Sequence, residues 1–177
     1  MKKKVALIIA SKGYQPVEYG IPKTILEQSD YQVVTISDKL GLAHANNGCS
    51  TPVDVLLADA DAKDYAGIFF IGGPGAMDCL DNEISYELIQ DAMQAHMPLG
   101  AICVAPRILA RAGALEGMNA TGWDDHEVET LADVFNEHGV TLIDQDVVVD
   151  DQIVTAVGPK AAKEFGETIL ALLKNNC

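Results

Sequence analysis

Short apolar runs alternate with stretches of helical periodicity along most of this chain. Lys4 to Ala10 is almost continuously apolar, the pattern of a strand covered on both faces. Gly13 and Pro16 interrupt it, and Val17 to Gln28 then reads as a helix with Ile21, Ile25 and Leu26 on one face. Tyr31 to Ser37 alternates apolar and polar residues as a second strand, and Ile68 to Ile71 is a short buried strand running into Gly72-Gly73-Pro74-Gly75. Glu83 to His96 carries Ile84, Leu88, Ile89, Ala92 and Met93 at helical spacing. Pro98 to Ile102 is another apolar strand, followed at once by Cys103 and a helix from Val104 to Ala112 that stops at Gly113.

The second half continues the alternation. Asp124 to His138 is a helix candidate with acidic residues in its first turn and Gly139 beyond its end. Val140 to Ile143, Val147 to Val149 and Ile153 to Ala156 are strands around an Asp-rich turn, and Pro159 opens a terminal helix carrying Phe165, Ile169, Leu170 and Leu173. The least legible stretch is Asp38 to Ala66, where Val53, Val55 and Leu57 alternate in one short strand. Strands and helices in this order predict an α/β fold with a mostly parallel sheet between helices. Such sheets bind ligands at the carboxyl ends of their strands, where both the Gly72-Gly73 turn and Cys103 fall.

At 177 residues, 49% of them hydrophobic, the chain fits one domain over residues 1–177. A net charge of −14 repels phosphate backbones and anionic lipid, which sets nucleic acid and membrane surfaces aside as partners. The Lys2-Lys3-Lys4 start precedes only six apolar residues, too few for a signal peptide, and no segment has the length of a membrane span. Cys49, Cys79, Cys103 and Cys177 are widely spaced and form no CxxC pair, so neither structural zinc nor a disulfide framework is expected, and a reducing cytoplasm is the simplest setting. His44, His96, His126 and His138 lack a metal-binding spacing, and the glycine turn lacks the Lys-Ser/Thr of a phosphate loop, so no metal or cofactor is expected.

The sharpest chemical signal is Ala101-Ile102-Cys103-Val104-Ala105. A nucleophile elbow turns abruptly from strand to helix and tolerates only small residues two before and two after the nucleophile, a demand that Ala101 and Ala105 meet. At that corner the thiol pKa is expected to fall, with the Val104 N–H and a backbone N–H at Gly73 facing a developing oxyanion. Spacing alone leaves a second reading open, a free cysteine packed as a small hydrophobe.

Three stretches in one order resemble the ThiJ/PfpI superfamily, which includes a Parkinsonism-associated deglycase and PfpI-type intracellular peptidases. They are Val17-Glu18-Tyr19-Gly20-Ile21-Pro22, Phe70-Ile71-Gly72-Gly73-Pro74-Gly75-Ala76, and Ala101-Ile102-Cys103-Val104-Ala105-Pro106, with a similar late stretch from Val147 to Pro159. The resemblance spans nearly the whole chain. It implies a flavodoxin-like three-layer sandwich with a nucleophile elbow, of the class I glutamine amidotransferase type, and a homodimer. It also implies that Glu18 lies beside the Cys103 sulfur, as a coupled pair with the Glu18 pKa raised and the Cys103 pKa lowered. Gly72, Trp123 and His126 are candidate pocket residues. Trp123 either lines the site or packs in the core, and His126 either swings toward the thiol or decorates a helix surface.

Two departures bear on activity. PfpI-type peptidases carry histidine directly after the cysteine, where this chain has Val104, and the histidine of the deglycase branch aligns with Gly122. Peptide hydrolysis therefore lacks its proton carrier. Four readings remain: a cysteine-dependent enzyme acting on a small carbonyl compound, of glyoxalase or deglycase type; a hydrolase of a small amide or other C–N bond; a redox or stress-response protein sensing oxidants through Cys103; and a binding module without activity.

Overall fold

The computed structural model describes residues 2–124 and 129–176 and builds them around a seven-stranded sheet. In chain order the elements are β1 (Lys3–Ile9), β2 (Lys12–Tyr14), α1 (Pro16–Gln28), β3 (Tyr31–Ser37), β4 (Gly41–Ala45), β5 (Ser50–Val53), β6 (Val55–Leu56), β7 (Ile68–Phe70), α2 (Ala76–Leu80), α3 (Glu83–Gln94), β8 (Leu99–Ile102), α4 (Pro106–Arg111), β9 (Asn119–Ala120), α5 (Leu131–Glu137), β10 (Thr141–Leu142), β11 (Val147–Asp150), β12 (Ile153–Ala156) and α6 (Ala162–Asn175).

The main sheet runs β11-β12-β8-β7-β1-β3-β6, parallel throughout except for β11 against β12. Helix α1 packs on α6, while α3, α4 and α5 pack in succession, so helices clothe both faces of the sheet. Central strands covered on both faces need continuous apolar runs, and Val5 to Ala10 are all fully buried. Each large aliphatic side chain removed from water there contributes roughly 1.5 to 3 kcal/mol. No helix among the described residues is long and apolar enough to cross a membrane.

Register decides where the chemistry sits. Ile8 pairs with Phe70, Phe70 with Ala101, and Ala101 with Thr155. Two residues beyond Phe70 and Ala101 lie Gly72 and Cys103, so the two corners flagged in the sequence emerge side by side at the carboxyl edge.

Several sequence expectations need correction. In α1 the buried face is Glu18, Tyr19, Pro22 and Leu26, while Ile21 faces solvent. Tertiary packing has turned the helix to bring its acid inward. Pro22 also has no N–H to give the Glu18 carbonyl four residues back, which interrupts the helical ladder at Glu18. Ile84 is likewise exposed, and Ser85 takes its place on the inner face of α3. The helix expected from Asp124 begins only at Leu131, because Thr130 caps it through a reciprocal capping box with Asp133; residues 125–128 of that expectation lie outside the described residues. The strand expected over Val140 to Ile143 shrinks to β10, which pairs with β9 apart from the main sheet. The stretch after Asp38 holds a β4–β5 hairpin joined to β2. Its Leu40 and Leu42 point to solvent, which hid the strand alternation.

Helix α1 is held in place through its contact with α6, where a Cβ on Gly166 would come 2.9 Å from Ile25 Cδ1 and 3.0 Å from Pro22 Cα. Gly166→Leu should overpack this seam and cost about 1 to 3 kcal/mol, read as a lower urea midpoint at unchanged slope.

Candidate active site

Cys103 occupies the elbow in a left-handed backbone conformation, φ 67°, which non-glycine residues adopt at a cost of roughly 1 to 2 kcal/mol. Neighbours fix that corner from both sides. Its N–H donates to the Ala156 carbonyl of β12 at 2.9 Å, and its carbonyl accepts from the Trp123 N–H at 2.7 Å. Ala101 and Ala105 are fully buried on either side, as the turn requires. The backbone N–H groups of Val104 and Gly73 both hydrogen-bond the sulfur, which brings the two expected oxyanion donors to one atom.

Glu18 comes to the same sulfur from α1. Its carboxyl is fully buried, its Oε2 accepts from the Gly72 N–H at 3.0 Å, and the Cys103 thiol interacts with it directly. Gly72 makes this approach possible: a Cβ there would come 2.5 Å from Cys103 Cβ and 2.7 Å from Glu18 Oε2. Helix α1 starts at the same point, with the Gln15 side chain capping Val17 N at 2.6 Å and the Gln15 N–H donating to the Gly72 carbonyl at 2.9 Å. Glu18 Oε1 is buried and has no hydrogen-bond partner among the described residues.

Glu18, Gly73 and Cys103 line a cleft of about 400 Å³ with Gln15, Asn46, Pro74, Val104, Trp123 and Pro159, while Gly72, expected in the pocket, lies behind the Glu18–Cys103 pair and outside the lining. Trp123 is half exposed and forms a wall of the cleft, which decides between its two sequence readings. His126 lies outside the described residues. Among the described residues Cys49 is exposed and Cys79 half-buried, neither of them in this cleft. No group of three or more His, Cys, Asp or Glu among the described residues could hold a metal ion.

Burial pushes the Glu18 carboxyl from 4.5 up to about 7, against the opposing hydrogen bonds from Cys103 and Gly72. The Cys103 thiol moves opposite to the sequence expectation. Burial and then the Glu18 charge push it up to about 12, outweighing the amides of Val104 and Gly73 that pull it down. Helix α4 begins only at Pro106 and has six residues, so its dipole adds little at the sulfur. At neutral pH the pair is therefore a protonated thiol facing a carboxyl poised between its two protonation states.

The residue that sequence reading missed is Arg107. It is buried one turn past Cys103, donates from Nη1 to the Trp123 carbonyl at 2.8 Å, and places Nη2 3.7 Å from Asp124 Oδ1. Its signal was an arginine directly after the elbow proline, within a helix that is apolar apart from Arg107 and Arg111. Gln15 and Asn46 were missed as well, since both sit in loops where polar residues are ordinary.

The family model for the DJ-1/PfpI family matches residues 3–172. The chain belongs to the DJ-1/PfpI family. An uncharacterized protein of Methanocaldococcus jannaschii is 32% identical over 176 residues, covering 98% of this chain and 84% of its own. One from Staphylococcus aureus is 31% identical over 178 residues, covering 98% of this chain and 100% of its own. Among solved structures, a ThiJ/PfpI domain protein from Brachyspira murdochii superposes with a TM-score of 0.89 at 25% identity, over 99% of each chain. The flavodoxin-like architecture of the DJ-1/PfpI family thus holds for this chain.

A carboxyl that holds its proton more tightly when folded makes stability depend on pH. Below 4.5 both states are protonated and Glu18 is neutral to folding. Between 4.5 and about 7 only the unfolded chain ionises, so native stability falls as pH rises, by on the order of 3 kcal/mol in all. Glu18→Gln should therefore be more stable than the native chain at pH 8 and nearly equal to it at pH 4, as read by urea unfolding at both pH values.

Proposed function

We propose that this cleft is the active site of a cysteine-dependent enzyme acting on small carbonyl compounds of the 2-oxoaldehyde kind, with Cys103 as nucleophile and Glu18 as proton shuttle. The observation that carries the reading is the buried Glu18 carboxyl against the thiol, with its Oε1 unpartnered. It is the only carboxyl lining the cleft among the described residues.

Ionised Glu18 takes the thiol proton as sulfur attacks the aldehyde carbon, and the carboxyl returns that proton to the new alkoxide. The product is a hemithioacetal. The amides of Gly73 and Val104 stabilise the oxyanion while it carries charge. Glu18 then removes the hydrogen on the same carbon, the electron pair shifts toward the adjacent ketone, and protonation of the second carbon leaves a thioester on Cys103. Water cleaves the thioester, releasing a 2-hydroxy acid and restoring the thiol. One carbon is oxidised and its neighbour reduced, so no external oxidant or reductant is needed.

Two alternatives have less support. Hydrolysis of a C–N bond needs a proton for the departing amine, and the described lining residues include no imidazole. Oxidant sensing draws on the thiolate, and this thiol is held protonated.

Incubation with methylglyoxal should yield lactate, and none should form with Cys103→Ser. Glu18→Gln should lower kcat by roughly 100- to 10,000-fold. Because the base is ionised Glu18, kcat/KM should rise with pH through about 7 in the native enzyme and lose that step in Glu18→Gln. A native chain that makes no lactate rules this reading out.

A further inference from the structure

At the opposite end of β8 from Cys103 lies a second, smaller cleft of about 210 Å³, closed by the end of α3, the segment after α4 and the β11–β12 turn. Three of the five methionines of the chain, Met93, Met97 and Met118, line it together with His96. Methionine side chains fill gaps in any core, but here the local backbone shows how two of them and the imidazole are gathered. Helix α3 ends in a Schellman motif, in which the His96 N–H bonds the Met93 carbonyl at 3.0 Å and the Met97 N–H bonds the Ala92 carbonyl at 3.0 Å. The left-handed residue of that motif is usually glycine, and here it is His96, φ 49°. The turn folds Met97 back toward Met93 and sets an imidazole between them in sequence.

Gln152, from the facing turn, lines the same cleft. Leu99, Ala114, Ile153 and the exposed Asp151 make up the rest of the lining, and the Gln152 amide oxygen is left without a hydrogen-bond donor among the described residues. Thioethers are soft, uncharged ligands that favour Cu(I) over hard divalent ions, and an imidazole suits the same metal.

We propose that this cleft binds one soft monovalent cation, Cu(I), through the sulfurs of Met93, Met97 and Met118 and the imidazole of His96. The site is independent of the Cys103 chemistry, since β8 separates the two.

Silver(I) is the redox-silent probe. Thiols bind both ions, so the titration uses the full chain with its thiols blocked by iodoacetamide and, in parallel, a full chain with all four cysteines changed to serine. With the methionine methyl groups labelled with carbon-13, one equivalent of Ag(I) should move the resonances of Met93, Met97 and Met118 and leave Met77, outside the cleft, in place. Met118→Leu, which conserves volume, should weaken Ag(I) binding at least tenfold, as should His96→Asn, which keeps a residue tolerant of the left-handed turn. Cu(I) held against a competing chelator under anaerobic conditions should reach one ion per chain and be lost in the triple Met→Leu variant. Methyl resonances that stay fixed at one equivalent, or Met77 shifting in step with the other three, would overturn the proposal.

Discussion

A carboxyl group withdrawn from water and set against a thiol is the constraint around which the carboxyl edge of this sheet is organised. Burying Glu18 is unfavourable once it ionises, so the fold must supply compensation and hold the arrangement open. The Gly72 N–H supplies one hydrogen bond, and the missing Cβ at Gly72 supplies the room. The elbow then carries Cys103 forward until the amides of Val104 and Gly73 reach the sulfur. Each feature would be a defect in isolation. Together they leave a protonated thiol against a carboxyl that titrates near neutral pH, beside a cleft of about 400 Å³.

Parallel strand order makes this assembly economical. The residues at the sulfur come from the turn after β7 and the elbow after β8, which register brings to one edge, and from the start of α1, which helix packing sets beside them. The cleft wall needs more. Helix α4 presents two arginines one turn apart: Arg107 holds Trp123 and Asp124, and Arg111 pairs with Asp81 and Glu129. The helix that follows Cys103 thus ties down Trp123 and Asp124 through one arginine and Asp81 and Glu129 through the other.

Much of this was legible from the residues themselves. Continuous apolar runs such as Val5 to Ala10 and Ile68 to Ile71 identify central strands, since nothing else buries both faces. The small residues Ala101 and Ala105 mark the elbow because sterics allow little else. What escaped was set by tertiary context. The burial of Glu18 in place of Ile21 depends on what α1 packs against, and periodicity cannot report that a carboxyl will be the inward residue. The thiol was expected to be acidified by a helix terminus, but the helix is short, starts late, and competes with a neighbouring negative charge. Pattern reading finds the place; the sign of the electrostatics needs the third dimension.

The left-handed backbone at Cys103 has a consequence for how such a chain would drift. Glycine accepts that conformation freely and asparagine nearly so, which means the corner itself has no preference for sulfur. Selection for a sturdier fold alone would erode this position, replacing its sulfur with a more relaxed main chain. Persistence of cysteine there requires a pressure that robustness cannot provide.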